Sequence, residues 1–129
     1  MAAPVAAKRQ RTILVVEDDE SARDALARVL VREGYLVLTA ATGHDAIALV
    51  RTPLSPIDVV LLDVRLPDVS GADLCARLRE LHPKLPVVVC TGAAEPGETA
   101  GLLKLGVRRC FLKPVVMEEL LASVQEAVA

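Results

Sequence analysis

Four apolar runs in this chain each stop at a polar, chemically active residue. Ile13-Leu14-Val15-Val16 is followed by Glu17 and Asp18, and Ile57-Asp58-Val59-Val60-Leu61-Leu62 by Asp63. Val87-Val88-Val89-Cys90 is followed by Thr91, and Phe111-Leu112 by Lys113. Apart from Asp58, the first three runs are apolar throughout rather than alternating, as strands buried on both faces of a helix-covered parallel sheet must be. Strands of such a sheet all end at one edge, where ligands of open α/β sheets bind. Three acids, a hydroxyl and an ammonium are therefore expected to meet there.

The segments between the runs read as helices. Ile13–Val16 is a strand, and Ser21–Arg32 a helix with Ala22, Ala25, Leu26, Val29 and Leu30 on one face. Gly34 ends that helix, and Leu36–Ala40 is the second strand. Thr42 with Asp45 resembles a capping box for a short helix to Arg51. Pro53 and Pro56 break the chain before the third strand, Ile57–Leu62. Ser70 with Asp73 opens a helix lined by Leu74, Leu78 and Leu81, and Pro83 and Pro86 bracket the turn into the fourth strand. Pro96 suits the first turn of a fourth helix to Lys104, although Gly97 and Gly101 lower its propensity. Gly106 ends it. Arg109–Leu112 is the fifth strand and Val115–Val128 the last helix, with Leu120, Leu121, Val124 and Val128 inward. This alternation predicts an open α/β sandwich. Residues 1–11 read as a disordered tail and residues 12–129 as one domain.

Composition narrows the function classes. The 129 residues suit one domain with one core. Hydrophobic residues make up 53%, yet Tyr35 and Phe111 are the only aromatics, so the core must be aliphatic. A net charge of −2 gives no general field for nucleic acid. Cys75, Cys90 and Cys110 form no CxxC pair, which argues against a thiolate metal site. The N-terminus is too weakly apolar for a signal peptide, and no apolar run approaches the ~20 residues of a membrane span. The expectation is a cytoplasmic protein that binds neither nucleic acid nor membrane directly.

The strand-end residues suggest a chemistry. Two like charges ~4 Å apart repel by roughly 4 kcal/mol at an effective dielectric of about 20, so clustered carboxylates need a cation. A hard divalent ion such as Mg²⁺ prefers oxygen ligands. Asp18 and Asp63 can ligate directly, and the longer Glu17 through water. A phosphoryl group on Asp63 would meet the metal, the Lys113 ammonium and the Thr91 hydroxyl as a donor. Asp63 is the natural nucleophile because it ends the most apolar strand. Each residue alone has an ordinary explanation as a cap, turn or loop residue, as Asp19 does beside Asp18. Their joint placement at four corresponding strand ends does not.

The segments Ile13-Leu14-Val15-Val16-Glu17-Asp18-Asp19-Glu20, Asp58-Val59-Val60-Leu61-Leu62-Asp63-Val64-Arg65-Leu66-Pro67 with Gly71, Val88-Val89-Cys90-Thr91-Gly92, and Lys113-Pro114 resemble the response-regulator receiver domain of two-component signalling. The resemblance spans residues 12–128. It implies a flavodoxin-like (βα)5 three-layer sandwich with strand order 2-1-3-4-5, an order of which receivers are themselves a standard example. It implies that Asp63 accepts a phosphoryl group from a histidine kinase or a histidine phosphotransfer protein. Glu17, Asp18, Asp63 and the Arg65 backbone carbonyl would then surround Mg²⁺ (or Mn²⁺), with Thr91 and Lys113 on the phosphoryl oxygens. It also implies a cis Lys113–Pro114 peptide. Such a chain is a signalling module that catalyses only its own phosphorylation and slow dephosphorylation. With no room for a second domain after Val128, its expected output is a protein contact through the fourth helix, fifth strand and fifth helix. A free-standing regulator and a piece of a hybrid histidine kinase both fit.

Several positions depart from the family pattern or tune it. Glu17 replaces the commoner Asp. Cys110 stands three before the lysine, where receivers usually carry a Tyr or Phe that swings inward, and alternation points Phe111 to the opposite face. Val116 stands where a helix-capping Ser or Asp is common. Arg65 and Ala93, two after Asp63 and Thr91, occupy positions that modulate autodephosphorylation in this family, and Arg65 is long enough to shield an acyl phosphate. His44 and His82 read as surface residues. The main rival is a small Mg-dependent aspartyl-phosphate phosphatase of the haloacid dehalogenase type, but that family's second Asp would fall on Arg65. A nucleotide or flavin binder lacks its glycine motif. A degenerate receiver is disfavoured by the presence of Asp18, Asp63, Thr91 and Lys113.

Overall fold

Strand and helix alternate five times: β1 (Thr12–Val16), α1 (Glu20–Arg32), β2 (Leu36–Ala40), α2 (Gly43–Val50), β3 (Val59–Leu62), α3 (Gly71–Leu81), β4 (Val87–Thr91), α4 (Glu98–Lys104), β5 (Arg109–Leu112) and α5 (Met117–Val128). This computed structural model describes residues 10–52, 56–92 and 97–129. Residues 1–9 of the expected tail, Pro53, Ala93 and Pro96 lie outside the described residues. The five strands form one parallel sheet in the order β2-β1-β3-β4-β5. Its flavodoxin-like order agrees with the sequence expectation.

The central strands β1, β3 and β4 are buried along their whole length. Alternate residues feed two aliphatic cores. Leu14, Val16, Val60, Leu62, Val87 and Val89 face one side with Leu74, Cys75 and Leu78 of α3. Ile13, Val15, Val59, Leu61, Val88 and Cys90 face the other with Leu30 of α1 and Leu120 and Val124 of α5. Phe111 joins this second core, whereas Cys110 packs against the first, so the two residues do point to opposite faces.

Caps define most helix starts. The Asp19 carboxylate accepts from Ala22 N at 3.0 Å, Thr42 Oγ1 from Asp45 N at 3.0 Å, and Ser70 Oγ from Asp73 N at 3.0 Å. α5 begins at Met117, two residues later than expected, and its N-cap Val116 offers no side-chain bond. α4 begins at Glu98. β3 is shorter than its apolar run because Asp58 closes that end with its side chain: Asp58 N donates to Thr12 O at 2.9 Å, and its Oδ2 accepts from Thr12 N at 2.8 Å. Arg11 O accepts from Leu36 N at 2.9 Å, so the ladder starts inside the segment expected to be tail.

The apolar face of α1 is only partly buried. Of its five residues, only Leu30 is fully buried. Ala22, Ala25, Leu26 and Val29 instead line an apolar cavity of about 300 Å³ shared with Leu61, Met117 and Leu120. The two alanines are too short to fill the space between helix and sheet.

α4 is anchored by a side chain from another helix. Arg79 of α3 donates from Nε to Leu105 O at 3.1 Å and from Nη2 to Gly106 O at 2.9 Å. Its Nη1 reaches Pro83 O and Leu85 O in the turn before β4. One planar guanidinium thus satisfies carbonyls at the end of α4 and in the α3–β4 turn, a geometry an ammonium cannot reproduce. Arg79→Ala is expected to lower the unfolding free energy by about 2 kcal/mol, with Arg79→Lys recovering less than half, as measured by urea denaturation. An unchanged midpoint in Arg79→Ala would contradict this anchoring.

Candidate phosphoryl-acceptor site

The parallel ladder continues one bond past the strands, and those bonds place the site. Glu17 N donates to Ala40 O at 3.0 Å, Asp63 N to Val16 O at 2.9 Å, and Lys113 N to Thr91 O at 2.8 Å. The residues after β1, β3 and β5 are therefore fixed in register with their neighbours. Glu17 is 6% exposed and Asp63 9%, and Thr91 is also buried. In α1, Arg23 donates to Glu17 O at 3.0 Å, tying the β1–α1 turn to its helix.

The carboxylates of Glu17, Asp18 and Asp63 each offer an oxygen within 4.8 Å of the others. Lys113 Nζ lies 2.7 Å from Glu17 Oε1 and 3.7 Å from Asp63 Oδ2. Burial, reinforced by the bond shared with Asp63 and that residue's charge, pushes the Glu17 carboxyl up to about 7, against the lowering effect of Lys113. Burial acts to lower the Lys113 pKa, but its bond to Glu17 and the charges of Asp63 and Glu17 outweigh this and raise it. Among the described residues, Glu17 Oε2 is buried without a hydrogen-bond partner. An orphaned carboxylate oxygen beside two further acids fits a hard divalent cation.

The loop from Asp63 to Gly71 is held at several points. Asp63 Oδ1 accepts from Arg65 N at 3.0 Å. Arg65 pairs with Ser70 in an antiparallel bridge, and Gly71 N donates to Val64 O at 3.2 Å. A Cβ on Gly71 would lie 2.7 Å from the Val64 Cα, so only glycine permits this approach. At the tip, Asp68 accepts from Gly43 N and His44 N at 2.9 Å each, and a side chain at Gly43 would collide with Val69. The Arg65 side chain reaches Glu98, the first residue of α4, with Nη2 3.7 Å from Oε2. The Lys113–Pro114 peptide is cis, as the resemblance implies.

The family model for the response regulator receiver domain matches residues 13–125. The chain belongs to the response-regulator receiver family. The receiver is 34% identical over 117 residues to the transcriptional regulatory protein CreB of Escherichia coli (strain K12), covering 91% of this chain and 50% of that protein. It is 37% identical over 110 residues to the response regulator MprA of Mycolicibacterium vanbaalenii, covering 85% of this chain and 47% of the relative. The chain thus spans about half the length of these curated relatives or less. Among solved structures, a CheY-like receiver domain protein from Methanospirillum hungatei JF-1 superposes with a TM-score of 0.87 at 29% identity, covering 92% of this chain and 94% of that one. The non-phosphorylated HemR receiver domain of Leptospira biflexa gives 0.84 at 32% identity, covering 93% and 95%.

In this receiver the fold brings Glu17, Asp18, Asp63 and Lys113 together, with Thr91 joined to Lys113 through the backbone. His44 and His82 are exposed. Sequence reasoning missed Arg23, Asp68 and Glu98, whose partners lie on other elements or in a turn and leave no periodic signal.

The amides of Gly43, then His44, hold the Asp68 carboxyl below its ordinary value of 3.8. A carboxyl lowered by folding stabilises the fold above its ordinary pKa, and the contribution disappears as pH falls through the lower folded value. The urea midpoint of the wild type is expected to exceed that of Asp68→Asn at neutral pH, with the gap closing below pH 3.8. A gap that does not change with pH would show that the carboxylate charge has no part in the cap.

Proposed function

We propose that Asp63 is the phosphoacceptor of this receiver, taking a phosphoryl group from a histidine kinase or a histidine phosphotransfer protein. The observation that carries the reading is the Glu17–Asp18–Asp63 carboxylate cluster with the Lys113 ammonium 3.7 Å from Asp63. In the transfer, an Asp63 oxygen bonds to phosphorus as the N–P bond of the phosphohistidine breaks and the imidazole leaves. Lys113 offsets the charge of the phosphoryl oxygens, and the Thr91 hydroxyl donates to one of them. Glu17, Asp18, Asp63 and the Arg65 carbonyl would hold Mg²⁺ or Mn²⁺, which supplies the remaining positive charge.

The receiver acts as a signalling module, not as a turnover enzyme, and residues 12–129 form its unit. Its output is a protein contact on the face of α4, β5 and α5, where Leu103, Leu112 and Val116 are exposed apolar residues. Among the described residues no helix is long and apolar enough to cross a membrane, in keeping with a phosphodonor met in the cytoplasm. Family membership removes the reason for the phosphatase alternative.

Incubation with labelled acetyl phosphate and Mg²⁺ is expected to give an acid-stable, base-labile label that is absent from Asp63→Ala and prevented by chelation. Undiminished label in Asp63→Ala would end the assignment. Once phosphorylated, the receiver is shielded from water by the Arg65 side chain. Arg65→Ala is expected to lose phosphate about two- to fivefold faster, the worth of one exposed charge contact. An unchanged or slower rate would remove Arg65 from this role.

A further inference from the structure

The cavity beneath α1 is apolar except at the end where the strands stop. Val15 of β1 and Leu61 of β3 belong to its floor, Leu26 and Val29 of α1 to one wall, and Met117 and Leu120 of α5 to the other. Apart from Glu17, Asp63 and Lys113, every described residue that lines it is apolar. Ala25 is exposed, so the space opens to solvent beside α1. The volume of about 300 Å³ is twice the roughly 150 Å³ of an apolar cavity that holds benzene. A body of about ten carbons fits such a space.

The polar end is short of a donor. Lys113 Nζ donates to Glu17 Oε1 at 2.7 Å and lies 3.7 Å from Asp63 Oδ2. Asp63 Oδ1 accepts from the Arg65 amide at 3.0 Å. Among the described residues, Glu17 Oε2 is buried and accepts from nothing, on a residue 6% exposed. A buried carboxylate oxygen in that state is costly, and a cationic donor offsets more of the cost than a neutral one. Charge selects the same kind of head. Two carboxylates and one ammonium line the cavity, and Asp18 brings a third carboxylate oxygen within 4.8 Å of theirs.

We infer that this cavity is a binding site for a small amphiphilic amine: a hydrocarbon or aromatic body of about ten carbons lies between α1, α5 and the sheet, and its ammonium donates to Glu17 Oε2. The body removes apolar surface from water along Leu26, Leu61 and Leu120, and the head supplies the missing donor. Neither half suffices. A plain hydrocarbon leaves Oε2 unpaired, and a bare ammonium leaves the apolar space unfilled. Glu17 is also one of the carboxylates proposed for Mg²⁺, so amine and metal are antagonists, each weakening the other by the same factor. That antagonism rests on the metal reading of the site, whereas binding of the amine to the metal-free chain does not. No covalent bond forms or breaks.

The test titrates phenylbutylamine into the metal-free full chain and follows amide chemical shifts, with phenylbutanol as the body without the charge and butylamine as the head without the ring. Saturable shifts in α1 and α5 are expected for phenylbutylamine, with each control weaker by about tenfold. Ala25→Leu fills the space and should weaken the amine and the alcohol alike by about tenfold or more. Ala22→Leu narrows the same space and gives the reading where Ala25→Leu lowers the urea midpoint. Glu17→Gln should bring the amine down to the affinity of the alcohol and leave the alcohol unchanged. Added Mg²⁺ should raise the apparent Kd of the amine. Shifts that do not saturate, equal affinity of amine and alcohol in the wild type, or affinity unchanged in both filled variants would overturn the inference. If Glu17→Gln weakens the amine and Mg²⁺ does not, the cavity assignment stands and Glu17 leaves the metal site.

Discussion

Backbone hydrogen bonds that run one residue beyond the strands are what the rest of this structure depends on. Glu17, Asp63 and Lys113 are not strand residues, yet each has its amide fixed to the end of a neighbouring strand. Side chains that repel one another in water are thereby held within a few ångströms, at a position set by the register of the whole sheet. The aliphatic cores on both faces stabilise that register, since a slip by one residue would move every inward side chain to the wrong face. Burial and chemistry are linked through this edge: the same packing that orders the sheet raises the Glu17 pKa and, among the described residues, leaves one of its oxygens without a partner.

Much of this was legible in the sequence because it is local or periodic. The capping pairs Thr42 with Asp45 and Ser70 with Asp73 mark helix starts within four residues of chain, and the structure places both. The continuous apolar runs identify the three central strands. Contacts that join distant segments left no such mark. Asp68 reads as a loop acid after a proline, and only the folded chain puts it on the amides of α2. Arg79 reads as an outward cation near the end of α3, although it holds carbonyls at the end of α4. The inner face of α1 was legible as apolar, but periodicity carries no information about whether alanines on that face fill the space beneath them.

The loop after Asp63 shows how an exposed connection becomes rigid. It is secured by a carboxylate accepting from its own chain two residues on, a bridge across its neck and a cap on a neighbouring helix. None of these is an apolar contact, and glycine is required at position 71 because the Val64 backbone approaches too closely for a Cβ. The acids are thus carried on supports of different kinds: Asp63 on a clamped loop, and Glu17 on a turn tied to α1 through Arg23.

The cavity beneath α1 gives that second support a distinct mechanical character. Side chains that meet open space lack the dispersion contacts that a filled interior would give them, although Leu30 and Leu26 keep α1 packed on the core. Arg23 belongs to this helix and holds the carbonyl of Glu17, so displacement of α1 is transmitted to the β1–α1 turn. The same cavity is lined by Glu17, Asp63 and Lys113, so the space left by the two alanines lies against both acids and the ammonium of the site.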